Sequence, residues 1–103
     1  MNEDRKVQNI SENISEKELD ELFEDAVRRA NMMPTQTADN MLRAYAYYKQ
    51  ATMGDCKESY NPNMNIVAVF KQNAWRSLNG MDKNEAKRRY IEFINWLEKE
   101  GEK

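Results

Sequence analysis

Tyr45, Tyr48 and Lys49 stand at i, i+3 and i+4 within the stretch from Leu42 to Thr52, so a helix there carries them on one side. Two phenol rings beside an ammonium can accept a flat heteroaromatic ring and an anion together. Stacking of a base on an aromatic side chain is worth roughly 1–3 kcal/mol, and a charge-assisted hydrogen bond to phosphate about 1.5–3 kcal/mol. A nucleotide phosphate suits both. By spacing alone the pattern fits equally a set of core tyrosines with their hydroxyls at the rim, and a lysine that snorkels from the edge of an apolar stripe.

Other chemistries are narrowed by what the chain lacks. It has no histidine and one cysteine, Cys56. A Ser-His or Cys-His nucleophile pair and a His-based zinc site are therefore excluded, and no catalytic residue or metal ligand is expected. A lone cysteine forms no internal disulfide, which suits a reducing compartment. The net charge is -2 and the pI near 5.2, a balance that opposes nucleic acid yet leaves room for a local pocket for one or two phosphates. No apolar run approaches the ~20 residues of a membrane span, and no secretory signal is recognised, so the expected address is cytoplasmic. Asn9-Ile10-Ser11 and Asn13-Ile14-Ser15 match the glycosylation pattern and, without such a signal, read as chance.

The elements that must position these residues read as helices. The length of 103 residues allows one domain. Residues 1–14 are polar and predict a flexible tail, leaving 15–103 as the domain. Ser15 with Glu18 makes a capping box, followed by Leu19, Leu22, Phe23, Ala26, Ala30 and Met33 at helical spacing; Pro34 ends that helix. Thr37 caps a second, with Met41, Leu42, Tyr45, Tyr48 and Thr52 as its stripe and Gly54 as its stop. A long loop runs from Asp55 to Asn65. A third helix is expected over 66–79, with Val67, Phe70, Ala74 and Leu78 on its apolar face. A fourth opens at Asp82 with Glu85 in capping-box style and carries Ala86, Tyr90, Ile94 and Leu97. No segment alternates as a strand does. The reading is all-α, with four helices.

The run Tyr48-Lys49-Gln50-Ala51-Thr52-Met53-Gly54-Asp55 resembles the Y-K-Q-A-T-x-G-D signature of the acyl-CoA-binding protein family. Lys71-Gln72-Asn73-Ala74-Trp75 is similar to its K-x-x-A-W pattern, and Leu78-Asn79-Gly80, Glu85-Ala86 and Tyr90-Ile91 follow in the family's order. The resemblance covers Leu19 to Gly101. It implies a four-helix bundle of up-down-down-up topology, with the loop after the second helix as the crossover.

By position, the resemblance implies that Tyr48 stacks on adenine and that Tyr45 and Lys49 contact the 3′-phosphate region. Lys71 would pair with the ribose 3′-phosphate, and Tyr90 would meet the head group and the start of the pantetheine arm. The acyl chain would lie over Phe23, Ala26, Val27, Ala30 and Met33 of the first helix and Met41 of the second. Ala74, Trp75 and Cys56 read as structural, Lys87-Arg88-Arg89 as solvated, and Phe93 and Trp96 as half exposed off the main stripe. Two positions depart from the family: Val67 where many members carry lysine, and Gln72 where an aromatic is common, which predicts a lighter grip.

The function implied is that of a monomeric carrier of long-chain acyl-CoA, without cofactor, exchanging cargo with acyl-CoA-using enzymes or membranes. Each buried methylene contributes ~0.8 kcal/mol, and the head-group anchor rejects free fatty acid. The alternative is a helical protein-interaction module that keeps the fold and has lost the ligand. An enzyme such as a thioesterase is a more distant reading.

Overall fold

A computed structural model describes residues 13–101; the expected tail, for residues 1–12, lies outside these. Four α-helices fill the described chain: α1 (Glu16–Asn31), α2 (Ala38–Met53), α3 (Ile66–Arg76) and α4 (Lys83–Gly101). No strand occurs among the described residues, and no helix among them is long and apolar enough to cross a membrane.

Each start satisfies backbone donors that a helix leaves open. Ser15 Oγ accepts from the Glu18 N–H at 3.1 Å while the Ser15 N–H donates to Glu18 Oε1 at 3.0 Å, the complete capping box. Ile14, just before the cap, packs against the core. Thr37 Oγ1 accepts from Asn40 N–H at 3.1 Å, and Asn65 Oδ1 from Ala68 N–H at 2.8 Å. Asp82 Oδ2 takes the Asn84 and Glu85 amides, while the Glu85 carboxylate turns instead to Arg89 at 2.8 Å. Gly54 closes α2 at φ 79, a backbone conformation that side chains with a Cβ rarely adopt. The third helix is shorter than its periodicity suggests: it stops at Arg76, and residues 77–80 form turns, with Gly80 at φ 96.

Cross-helix contacts fix the directions. Glu16, Asp20 and Arg29 of α1 meet Asn84, Lys87 and Glu98 of α4, so these two helices run parallel. Tyr47 faces Phe93 and Tyr48 faces Tyr90, while Gln50 reaches back to the Met81 carbonyl, so α2 runs against α4. Lys71 stands over Tyr45 and Trp75 under Lys49, so α3 runs with α2. The order is up-down-down-up, as in the acyl-CoA-binding protein type of bundle.

The core lies among α1, α2 and α4: Leu19, Phe23 and Ala26, then Tyr47 and Ala51, then Ala86, Tyr90, Ile91, Phe93, Ile94 and Leu97. α3 packs on α2. Two apolar stripes differ from the sequence reading. On α2 the buried residues are Ala46, Tyr47, Gln50 and Ala51, which leaves Met41 and Tyr48 outside. Tyr47 and Ala51 of this face join the core, and Gln50 is held by its bonds to Asp55 and the Met81 carbonyl, which fixes the rotation of α2. On α3 the buried residues are Gln72 and Trp75, while Val67 and Phe70 point away from the bundle. Burying the Trp75 ring fixes that rotation, because its Nε1–H donates to the Gly54 carbonyl at 2.8 Å. Phe93 is buried against Tyr47 rather than half exposed, and Trp96 stacks on it from outside.

The crossover is tied down at its first residues. Asp55 Oδ1 accepts from Gln50 Nε2 and from the Gly80 N–H, each at 2.8 Å. The Gly80 amide first, then Gln50, holds the Asp55 carboxyl below the usual range. Cys56 is buried; its N–H donates to Asn79 Oδ1 at 2.8 Å, and Asn79 Nδ2 returns a bond to its carbonyl at 3.3 Å.

Candidate ligand-binding cleft

The residues of α2 left outside its buried stripe open onto a cleft of roughly 440 Å³, within the usual range of small-molecule sites. Met41, Ala44, Tyr45 and Tyr48 line it from α2, at the i, i+3, i+4 and i+7 positions of one helical face. Val27 and Ala30 come from α1, Met33 from the segment after it, and Tyr90, Ile94 and Leu97 from α4. Lys71 reaches it from α3. Aliphatic side chains, with the polar Asn31, Gln36 and Asn40 among them, make one part of the lining; Tyr45, Tyr48, Tyr90 and Lys71 make an aromatic and cationic part.

The cationic end is built around Tyr45. The Lys71 ammonium stands 5.3 Å from the centre of its ring and the Lys49 ammonium 6.0 Å. Lys49 is also 4.8 Å from the Trp75 ring. Neither lysine pairs with a carboxylate among the described residues, whose ion pairs include those on Asp20, Asp25, Glu85 and Glu98. Two like charges beside one ring repel each other, and an anion between them relieves that repulsion.

The tyrosines are held from behind. Phe23 stacks on Tyr48 at 6.0 Å between ring centres and meets the Tyr90 ring edge-on at 5.2 Å; Tyr48 and Tyr90 are 6.2 Å apart. Tyr48 keeps one face open to solvent, 39% exposed, while Tyr90 is 5% exposed. Burial first, then the neighbouring Tyr48, pushes the Tyr90 hydroxyl up to about 12, so it stays a neutral donor.

Of the residues singled out in the sequence, Tyr45, Tyr48, Lys71, Tyr90, Val27, Ala30, Met33 and Met41 line this one cleft. Lys49 stands behind Tyr45 without lining it. Ala26 is fully buried, and Phe23 forms the support under the tyrosines; neither reaches the cleft, since both face the α4 core. Gln72 is turned away too, its amide 3.4 Å from Glu58 Oε1 and from the Ser59 carbonyl. Ala44, Asn31, Gln36 and Asn40 also line the cleft and were missed, as were Ile94 and Leu97, which the sequence shows only as part of the apolar stripe of α4. The spacing of Met41 and Tyr48 signals Ala44 between them. Asn31 and Gln36 border a connection with no period to read.

Fold and cleft together define a class: an up-down-down-up helical bundle with a ligand cleft amphipathic from end to end. Comparison with known proteins makes this specific. The family model described as Acyl CoA binding protein matches residues 20–94. The acyl-CoA-binding protein of Saccharomyces cerevisiae is 34% identical over 80 residues, spanning 77% of this chain and 92% of the yeast protein. That of Dictyostelium discoideum is 36% identical over 76 residues, spanning 73% and 90%. The solved structure of Oryza sativa acyl-CoA-binding protein 2 aligns with a TM-score of 0.77 at 32% identity, covering 82% of this chain and 94% of that one. The chain belongs to the acyl-CoA-binding protein family.

Proposed function

We propose that this protein binds long-chain fatty acyl-CoA and carries it through water, holding the CoA head at the cationic end of the cleft and shielding the acyl chain at the aliphatic end. The observation that supports this reading is Lys71, which lines one end of a largely apolar cleft beside Tyr45 and Tyr48, with Lys49 behind Tyr45 and neither lysine paired with a carboxylate among the described residues. In this reading Tyr48 offers its open face to adenine, Lys49 and Lys71 take the 3′-phosphate beside Tyr45, and Tyr90 donates its neutral hydroxyl to the arm below. Val27, Ala30, Met33 and Met41, joined by Ile94 and Leu97, accept the chain. Phe23 and Ala26 act from behind, as the support of that wall.

Binding of this kind needs no cofactor and no chemical step; the reading is a monomeric carrier rather than an enzyme, exchanging cargo with acyl-CoA-using enzymes and membranes in the cytoplasm. A family of binding proteins, by its description, supports it. The loss of an aromatic at Gln72 bears little on the grip, because that side chain faces the loop and not the cleft.

Calorimetric titration with palmitoyl-CoA, free CoA and palmitate tests the reading. Tight binding of the first, weak binding of the second and little of the third is expected. Equal affinity for palmitate and palmitoyl-CoA overturns it, and thiol release on incubation with palmitoyl-CoA overturns the non-enzymatic part.

A further inference from the structure

Three carboxamides interrupt the aliphatic part of the cleft: Asn31 at the end of α1, Gln36 in the connection and Asn40 in the first turn of α2. The side chains that share this stretch with them, Met33, Met41 and Leu97 among others, offer no strong hydrogen-bond partner. Gln36 Nε2 donates to the Pro34 carbonyl at 3.1 Å, which leaves its amide oxygen as an acceptor. Asn40 uses its backbone N–H on Thr37 and keeps its side-chain amide unpaired among the described residues, as Asn31 does. Gln36 and Asn40 are half-buried before any ligand arrives.

An unbranched alkyl chain laid over these groups strips their water and returns no hydrogen bond. A chain that carries a hydroxyl there both accepts from an amide N–H and donates to an amide oxygen. A carboxylate is the poorer fit. In the hollow that adjoins the cleft at Met33, Gln36 and Leu97, the cation is Arg29, already held by Asp25 at 2.8 Å and facing Glu98. Position along the chain follows from the helices. Asn40 precedes Tyr45 by five residues and Tyr48 by eight, about 7.5 Å and 12 Å along α2. Leu97 follows Tyr90 by seven residues of the antiparallel α4, about 10 Å. A chain that enters beside Tyr90 therefore meets the amides well away from its thioester.

We propose that Asn31, Gln36 and Asn40 make this cleft selective for long-chain acyl-CoA hydroxylated near the middle of the chain. The inference rests on the acyl-CoA reading and names the class of chain that the cleft takes best. Polar groups that hydrogen-bond a ligand hydroxyl discriminate against the analogue that lacks it.

Calorimetry on the full chain with three esters tests this: palmitoyl-CoA, its derivative hydroxylated at the tenth carbon, and its derivative hydroxylated at the carbon β to the thioester. The mid-chain hydroxyl is expected to tighten binding about threefold to tenfold over palmitoyl-CoA, the worth of one neutral hydrogen bond. The Asn31→Leu/Asn40→Leu double variant should reverse that order, binding palmitoyl-CoA more tightly and the mid-chain hydroxy ester more weakly. Neither side chain is buried, and the Asn40 backbone bond to Thr37 survives, so the variant folds, which circular dichroism checks. Asn40→Leu alone gives a milder second reading. Equal affinity of the parent for palmitoyl-CoA and its mid-chain hydroxy ester, or a preference unchanged in both variants, overturns this inference and leaves the carrier reading standing. A larger gain for the β-hydroxy ester also overturns it, because it assigns the hydroxyl to the tyrosines. So does a loss of free-CoA affinity in the double variant, which puts the amides on the head group. Failure of the parent to bind any of the three esters overturns the carrier reading and this one with it.

Discussion

Lys71 is exposed, contributes nothing to the core and sits over Tyr45, so its worth should appear in binding alone. Lys71→Ala is expected to weaken palmitoyl-CoA binding by about 1.5–3 kcal/mol, the value of a charge-assisted hydrogen bond, with thermal stability within about 0.5 kcal/mol of the parent. Calorimetry and a melt on the same sample check both halves, and unchanged affinity at low salt removes Lys71 from the site. Tyr90 makes a different prediction. Its hydroxyl is raised to about 12 by burial, above the value of an unfolded chain of about 10. The neutral form thus favours folding fully below pH about 10, and that contribution is lost as pH rises through about 12. Melting temperatures across this alkaline range should fall more steeply for the parent than for Tyr90→Phe. At this scale the sequence was informative: Tyr45, Tyr48, Lys71 and Tyr90 were all named from motif and spacing. What it concealed was depth. Phe23 and Ala26 share the helical stripe of Ala30, and only packing against α4 tells a wall from its support.

α3 and the crossover before it show how one side chain can orient an element. Trp75 supplies the buried face of α3 and clamps the start of the crossover through the Gly54 carbonyl. Trp75→Phe keeps most of the apolar surface but leaves that carbonyl without its donor, so a loss of about 1–3 kcal/mol is expected in denaturant unfolding. Phenylalanine still offers Lys49 a ring face, though a weaker one than indole, so acyl-CoA affinity should fall only slightly. The periodicity of α3 pointed to Val67 and Phe70 as its inner face because period alone reads apolar residues as buried. The hydrogen bond of an indole to a loop carbonyl has no periodic trace. On α2 the same rule chose Met41, Tyr45 and Tyr48 over the face of Tyr47, Gln50 and Ala51, because the bonds that bury the polar Gln50 leave no trace in hydropathy. Helix starts were easier: Ser15 with Glu18, Thr37 and Asp82 all act as their residue types suggest.

Across the molecule, stability should be uneven. Among the helices α3 packs on α2, whereas α4 packs on both α1 and α2. Native-state hydrogen exchange is expected to find α3 the least protected helix and α4 the most. Palmitoyl-CoA should raise protection in α3 selectively if Lys71 closes on the head group, because a ligand held by two helices stabilises the docked state by mass action. Protection gained evenly over all four helices counts against that clamp. The topology itself was not legible in any periodic pattern; it came with the family motifs and was bounded by the length of the loop from Asp55 to Asn65.

That topology has a consequence for how the chain is made. The side-chain bonds joining α1 to α4 link Glu16 to Asn84, Asp20 to Lys87 and Arg29 to Glu98, separations of 68, 67 and 69 residues. Apart from the Phe23–Tyr48 stack, α1 finds its main partner only in the last helix. On a ribosome adding ~5–20 residues per second, the apolar face of α1 therefore waits seconds for that partner. Such distant pairings also make folding slower than in a bundle whose neighbours follow one another in sequence. During this interval Leu19, Phe23 and Ala26 are open to whatever else binds greasy helices, so nascent α1 is the segment where a holdase would find this chain.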